Sequence, residues 1–158
     1  MQGFHAMPTA STTALTCNGN GDGQISGSTE YYEIFRAWQH LANAGLIEGS
    51  YTGVTGSGGS AHCVFGANCP SAKLSNAGYG WRYMVGTSNG NIVATNANTL
   101  YLGAQSTTGM PINPTLKAEE AWNIDIKLDD GKPGYGLVIG PSATGRPNCT
   151  TTDVISTS

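Results

Sequence analysis

The segment from Tyr31 to Ala44 constrains the fold most, because it is the clearest amphipathic helix in the chain. Its apolar side chains recur at helical spacing, so they form one stripe along the helix. A stripe of this kind has to be covered by another element, and we therefore expect the chain to be organised around this helix. The stripe consists of Ile34, Trp38, Leu41 and Ala42.

Capping signals frame this helix on both sides. Ser28 or Thr29 can cap its N-terminus, and Glu33 suits the positive end of the helix dipole. Gly45 is the expected residue just past its C-terminus, and Leu46-Ile47 is expected to pack back against the helix.

The polar loop before this helix has the residue pattern of a calcium-binding loop. Oxygen ligands stand at alternating positions, as Ca²⁺ requires, and Gly23 takes the position of the sharp turn. The sequence differs from a calcium-binding loop at the twelfth and last position, which requires a carboxylate. Thr29 occupies that position, and the carboxylate of Glu30 comes one residue after it. The alternative is a Gly/Asn turn whose side chains cap the next helix. The candidate calcium ligands are Asn18, Asn20, Asp22, Gln24 and Glu30.

The rest of the chain predicts a small antiparallel sheet and a second, short helix. Alternation of aromatic and small residues predicts the first strand, Tyr79–Val85, and Ser88-Asn89-Gly90-Asn91 has the composition of a hairpin turn. Helical spacing predicts the second helix from Ala118 to Leu128, with Gly131 ending it. Helix, sheet and helix together indicate an α+β fold. The predicted strands are Tyr79–Val85, Ile92–Thr95, Thr99–Gly103 and Tyr135–Ile139.

Length and composition favour one domain with a neutral surface. The chain has 158 residues, and we expect a single domain over residues 1–158 with an irregular lead-in over residues 1–16. Charged residues make up only 11%, and 23 residues are Gly, which suits an extracellular or surface-exposed protein better than a cytosolic enzyme. The 7 basic residues form no cluster and the net charge is −3, so no nucleic-acid partner is expected. Neither a transmembrane run of about 18 apolar residues nor a signal peptide is visible.

Four cysteines, an even number, occur without a Cys-x-x-Cys zinc pattern. Cys63 and Cys69 bracket a short loop that a disulfide can close. Cys17 and Cys149 would then tie the two ends of the domain together. This pairing is one of three possible connectivities.

A second group of chemically useful side chains lies at the end of the predicted second helix. Asp125 and Asp129 are four residues apart, which places them on one helix face, and Asp130 follows. Such carboxylates can do acid–base work or bind a cation. The alternative is a helix C-terminus at which Asp129 and Asp130 satisfy backbone donors in the turn before Gly131.

No catalytic arrangement emerges from the remaining residues. Residues 86–90 match the nucleophile-elbow pattern, but a β-like segment follows them, so a hairpin turn is expected. His5, His40 and His62 form no metal-binding pair, and no nucleophile–base–orienter trio can be assembled. The tyrosines can form a surface for sugar or protein contacts, or can line a small sheet core.

Three segments together resemble the globular head of bacterial type IV pilin-like proteins, including type II secretion pseudopilins. The first joins Gly19–Ile25 to Phe35–Gly53, which carries the first helix and its Gly-Leu-Ile-Glu-Gly exit. Ala118–Gly136 is similar to the second helix and turn of that group. Met7–Ala10 is similar to the loop that leaves the long N-terminal helix of these proteins. The middle of the chain, residues 54–115, carries no motif of the family.

The resemblance implies a pilin-like head, with a helix packed on a small antiparallel sheet and disulfide-tied loops. The family also has a prepilin segment and a long apolar helix that anchors the precursor in the membrane. This chain lacks that helix, so the resemblance implies a soluble head, with membrane contact only through the missing helix and no polymerisation in this form.

The resemblance further implies a non-enzymatic structural subunit of an extracellular, cell-surface or periplasmic filament. Its partners would be copies of itself or other pilin subunits, and disulfides and bound Ca²⁺ stabilise loops in related heads. Two alternatives remain open from the sequence. One is a secreted adhesin or carbohydrate-binding module, and the other is a hydrolase that uses Asp125, Asp129 or Glu30.

Overall fold

The computed structural model describes residues 21–26, 33–86, 95–132 and 135–140. Two strands pair as an antiparallel sheet, and two helices flank them in sequence. The α+β class is therefore confirmed. The elements in chain order are α1 (Glu33–Asn43), β1 (Ala77–Gly86), β2 (Thr95–Ala104) and α2 (Ala118–Leu128).

The chain divides into two compact units. The first unit contains residues 1–83 and 98–115, and the second contains residues 84–97 and 116–158. Helix α1 lies in the first unit and α2 in the second. The single domain over residues 1–158 stays a prediction.

Helix α1 supplies three of the six buried residues that form the described core cluster of the first unit. Ile34 and Trp38, from the predicted stripe, are almost fully buried, and Leu41 packs against the same cluster. Phe35 is 0% exposed, although it lies beside the stripe. Its burial shows that α1 is covered over a wider face than the predicted stripe. Trp38 stacks at a tilt on Trp81 of β1, with 5.5 Å between ring centroids, which packs the helix on the sheet.

The C-terminus of α1 is a Schellman end, as the sequence predicts. Gly45 has a φ of 70°, which favours glycine, and its N–H donates to the Ala42 carbonyl at 2.9 Å. The N–H of Leu46 donates to the Leu41 carbonyl at 2.9 Å. Ile47 packs against the core, but the side chain of Leu46 is 71% exposed, so its predicted packing is wrong.

The sheet is longer than predicted at both strands. The predicted segment Tyr79–Val85 lies inside β1, and Thr99–Gly103 lies inside β2. Gly80 allows residues 110 and 111 to lie against β1, because a Cβ there would be 2.6 Å from Cε of Met110. The predicted turn at residues 88–91 and residues 92–94 of the predicted return strand lie outside the described residues.

Helix α2 begins and ends where the sequence predicts. The Glu120 carboxylate accepts a hydrogen bond from the backbone N–H of Lys117 at 2.8 Å, which satisfies one donor at the helix start. After the helix, Gly131 has a φ of 73°. Asp125 is the buried residue of this helix, at 2% exposure.

The predicted strand Tyr135–Ile139 is wrong, because its described residues form a bend. The N–H of Tyr135 donates to the Lys132 carbonyl at 2.9 Å, and Gly136 has a φ of 76°. The next two N–H groups donate to the side chain of Asp129, not to a neighbouring strand. A strand cannot form when its donors are used in this way.

A disulfide joins Cys63 to Cys69, with 5.7 Å between the two Cα atoms. It closes the short loop expected from their spacing, and both cysteines are 0% exposed. The predicted partners Cys17 and Cys149 lie outside the described residues. Within the part of the chain that the structure describes, neither helix has the length and apolar character needed to cross a membrane.

Candidate functional site

Three carboxylates gather in the second unit, where α2 ends. One oxygen each from Asp125, Asp129 and Asp130 lies within 4.8 Å of the other two, an arrangement that can hold a metal ion. Asp125 lies in α2, and Asp129 follows the last residue of that helix. The N–H of Asp129 still donates to the Asp125 carbonyl at 2.7 Å, so the helical hydrogen bonding positions both residues. Asp125 is buried, Asp129 is half-buried and Asp130 is exposed.

Backbone N–H groups of the following turn bind each carboxylate of this cluster. Oδ1 of Asp125 accepts from Gly131 at 3.3 Å, and Oδ1 of Asp130 accepts from Lys132 at 2.8 Å. Oδ2 of Asp129 accepts from Val138 at 3.0 Å and also from Leu137. Asp129 and Asp130 therefore accept backbone hydrogen bonds after α2, as predicted. Their donors lie after Gly131, however, and not in the turn before it.

One buried oxygen of this cluster has no hydrogen-bond partner among the described residues. Oδ2 of Asp125 is buried and accepts no hydrogen bond from any residue that the structure describes. A buried carboxylate oxygen without a partner carries a desolvation cost that a bound cation or proton would remove.

The structure places only part of the predicted calcium loop. Asn18, Asn20 and Glu30 lie outside the described residues. Asp22 is exposed, and its Oδ1 accepts a hydrogen bond from the N–H of Gln24 at 2.7 Å. This bond forms an Asx turn, which orients the carboxylate of Asp22 over the loop.

Two side chains, one from β2 and one from the start of α1, hold the loop after Asp22. Asn98 of β2 accepts from the N–H of Ile25 at 2.7 Å and donates to the Gly23 carbonyl at 2.9 Å. Glu33, at the start of α1, accepts from the N–H and the hydroxyl of Ser26 at 3.1 and 3.2 Å. The Asn98 contact carries no signal in the sequence, because it joins residues 73 positions apart.

The loop over residues 54–69 depends on a buried asparagine. Asn68 is 2% exposed, and its side chain donates to the carbonyls of Val54 and His62 at 2.8 and 3.0 Å. Its Oδ1 accepts from the N–H of Val64 at 2.7 Å. Nδ1 of His62 accepts from the N–H of Gly58 at 2.8 Å. These hydrogen bonds therefore hold the disulfide-closed loop and the segment that precedes it in the chain.

Two of the tyrosines pack against the core, which is the alternative to a contact surface. Tyr51 and Tyr79 are half-buried and pack against the core cluster. The Tyr51 hydroxyl donates to the Glu48 carbonyl at 3.0 Å, and burial raises the pKa of this phenol.

Comparisons with protein families, with curated protein sequences and with solved structures find no match to this chain.

Proposed function

We propose that this chain is the head of a non-enzymatic structural subunit in a type IV pilus-like filament or pseudopilus. The proposal rests on the resemblance carried by residues 19–25, 35–53 and 118–136. The observation that supports it best is the packing of α1 on the sheet, with Trp38 stacked on Trp81 and Phe35 fully buried. A helix packed on a small antiparallel sheet is the arrangement that the resemblance implies.

The disulfide supports the cellular location in this proposal. A buried bond between Cys63 and Cys69 is typical of proteins that fold in an oxidising compartment. The proposed location is therefore the cell surface, the extracellular space or the periplasm. The proposed partners are further copies of the chain or other pilin subunits.

The polar side chains of the first unit also favour a structural role over catalysis. His62, Asn68 and Glu33 bind backbone groups of the loops around them. Groups used in this way hold the shape of a head, which in the proposal presents its loops to neighbouring subunits.

We also propose that residues 18–30 bind Ca²⁺ as a brace for the start of α1. Support comes from the Asx turn at Asp22 and from Asn98, which fixes the backbone just after it. Calorimetric titration of EDTA-treated protein should show a binding event that Asp22→Ala weakens. This part of the proposal is overturned if no Ca²⁺-binding event of the wild type is weakened in Asp22→Ala.

The filament proposal is tested by joining this chain to the apolar helix of a prepilin in a bacterium that assembles such filaments. The fusion should enter the filament fraction that shearing releases from the cells. The matched control carries charged residues within the apolar helix and should stay out of that fraction. A processed, folded fusion that never enters the sheared fraction would contradict the proposal.

A further inference from the structure

We propose that Asp125, Asp129 and Asp130 form a cation site, with Ca²⁺ as the ion, in the turn that follows α2. The site is separate from residues 18–30 and lies in the other compact unit. It does not depend on the filament proposal, because binding is measured on the isolated chain.

Charge is the first argument for this site. Three carboxylates with oxygens within 4.8 Å of one another repel unless a cation or a proton offsets their charge. Ca²⁺ binds oxygen ligands at about 2.4 Å, so ligands on opposite sides of the ion are about 4.8 Å apart. The three oxygens are therefore close enough to one another to contact a single ion of this size.

The buried oxygen of Asp125 is the second, independent argument. Asp125 is 2% exposed, and its Oδ2 accepts no hydrogen bond from any described residue. Its other oxygen accepts from the N–H of Gly131, so the carboxyl group is directed at the turn that carries the other two acids. A cation in this turn would satisfy Oδ2 where backbone donors do not.

The described hydrogen bonds leave oxygens of the cluster available to an ion. They use Oδ1 of Asp125, Oδ2 of Asp129 and Oδ1 of Asp130. These bonds fix the carboxylates before an ion arrives, which lowers the cost of ordering them. Because Asp130 is exposed, water can reach the ion and complete its coordination.

Mg²⁺ fits this arrangement less well. It keeps most of its water and is usually held by one or two carboxylates, whereas three converge here. Calcium tolerates irregular ligand sets and accepts both carboxylates and water. A titration with Mg²⁺ should therefore show weaker binding than one with Ca²⁺.

The test is a calorimetric titration of the EDTA-treated chain with Ca²⁺ up to about 5 mM, which exceeds the dissociation constants of most extracellular calcium modules. Asp125→Asn should weaken one binding event by about tenfold or more, because a charged ligand is lost. Asp130→Asn serves as a second variant, since an amide oxygen can still accept from Lys132 and the exposed position tolerates the change. Asp22→Asn is the matched control and should leave this event unchanged.

Terbium luminescence locates the ion. Tb³⁺ replaces Ca²⁺ in such sites and emits when a nearby tryptophan is excited. Nε1 of Trp122 lies 3.7 Å from the place where a Cβ on Gly131 would sit, so this indole is close to the turn. Trp122→Phe should lower the sensitised emission while leaving the calorimetric affinity unchanged.

The two measurements separate the outcomes. Loss of the event in Asp125→Asn and Asp130→Asn, but not in Asp22→Asn, supports the site. No binding by the wild type would overturn it. So would equal binding by the wild type, Asp125→Asn and Asp130→Asn.

Discussion

Oδ1 of Asn98 accepts a hydrogen bond from the backbone N–H of Ile25 at 2.7 Å and thereby fixes the polar loop to β2. The same side chain donates to the carbonyl of Gly23 at 2.9 Å. A single amide therefore closes both ends of a three-residue segment. The segment therefore depends on a residue that lies 73 positions away from Ile25.

Replacing Asn98 should loosen this loop. We expect Asn98→Ala to lower the free energy of unfolding by about 1–2 kcal/mol, because two hydrogen bonds are lost. Asn98→Asp keeps the acceptor for Ile25 and loses the donor, so its loss should be smaller. Urea unfolding measures both variants, and faster hydrogen exchange at the Ile25 amide in Asn98→Ala locates the effect. Equal exchange rates in the wild type and in Asn98→Ala would contradict the assigned contact.

Truncating Phe35 in α1 should destabilise the fold much more than truncating Leu46, which follows the helix. Phe35 is fully buried, so Phe35→Ala should lower the free energy of unfolding by about 3–5 kcal/mol. Leu46→Ala is the matched control, because that side chain is mostly exposed, and its effect should stay within about 0.5 kcal/mol. Denaturant unfolding followed by tryptophan fluorescence measures both. Similar losses in the two variants would show that the described core is wrong.

Removing the disulfide should destabilise the fold moderately. Cys63 and Cys69 are six residues apart, and closing a loop of this size contributes about 2 kcal/mol in the chain-entropy description. The double change Cys63→Ala with Cys69→Ala should lower the free energy of unfolding by about that amount. Thermal unfolding with and without reductant is the measurement. The reductant should lower the melting temperature of the wild type. An unchanged melting temperature would contradict a stabilising role for this disulfide.

Alkaline pH should destabilise the protein partly through Tyr51. Burial raises the pKa of this phenol above about 10, so between the unfolded and folded pKa values the folded state holds a proton that the unfolded state releases. Its contribution to stability is therefore retained below about pH 10 and lost as the pH rises further. Tyr51→Phe should make the decline of melting temperature above pH 10 shallower than in the wild type. An identical decline in the two proteins would count against the assigned pKa shift.

The parts of the fold that the sequence predicts are those with local causes. Both helices follow from the spacing of their residues and from their end signals, and the Schellman end at Gly45 follows from one glycine. The loop closed by Cys63 and Cys69 follows from spacing alone. These features depend on residues within a few positions of one another, which a sequence pattern can show.

The failed strand prediction and the contacts that the sequence does not reveal depend on residues outside the local pattern. The segment from Tyr135 to Ile139 has the residue composition of a strand, but the carboxylate of Asp129 accepts hydrogen bonds from two of its N–H groups. Asn68 and Asn98 act through contacts that no local pattern encodes. At the acidic cluster, the sequence places Asp125 and Asp129 together, whereas the burial of Asp125 and its unpaired oxygen depend on tertiary packing.

The filament proposal is tested most directly by electron microscopy of filaments that carry a labelled head. Position 46 suits the label, because Leu46 is 71% exposed and Leu46→Cys can be labelled with biotin and gold. The chain is joined to a prepilin helix and expressed in a bacterium that assembles type IV pilus-like filaments. The proposal predicts gold particles along the sheared filaments. The control fusion, whose prepilin helix carries charged residues, should leave the filaments without gold. Unlabelled filaments, with the folded and processed head left in the membrane fraction, would contradict it.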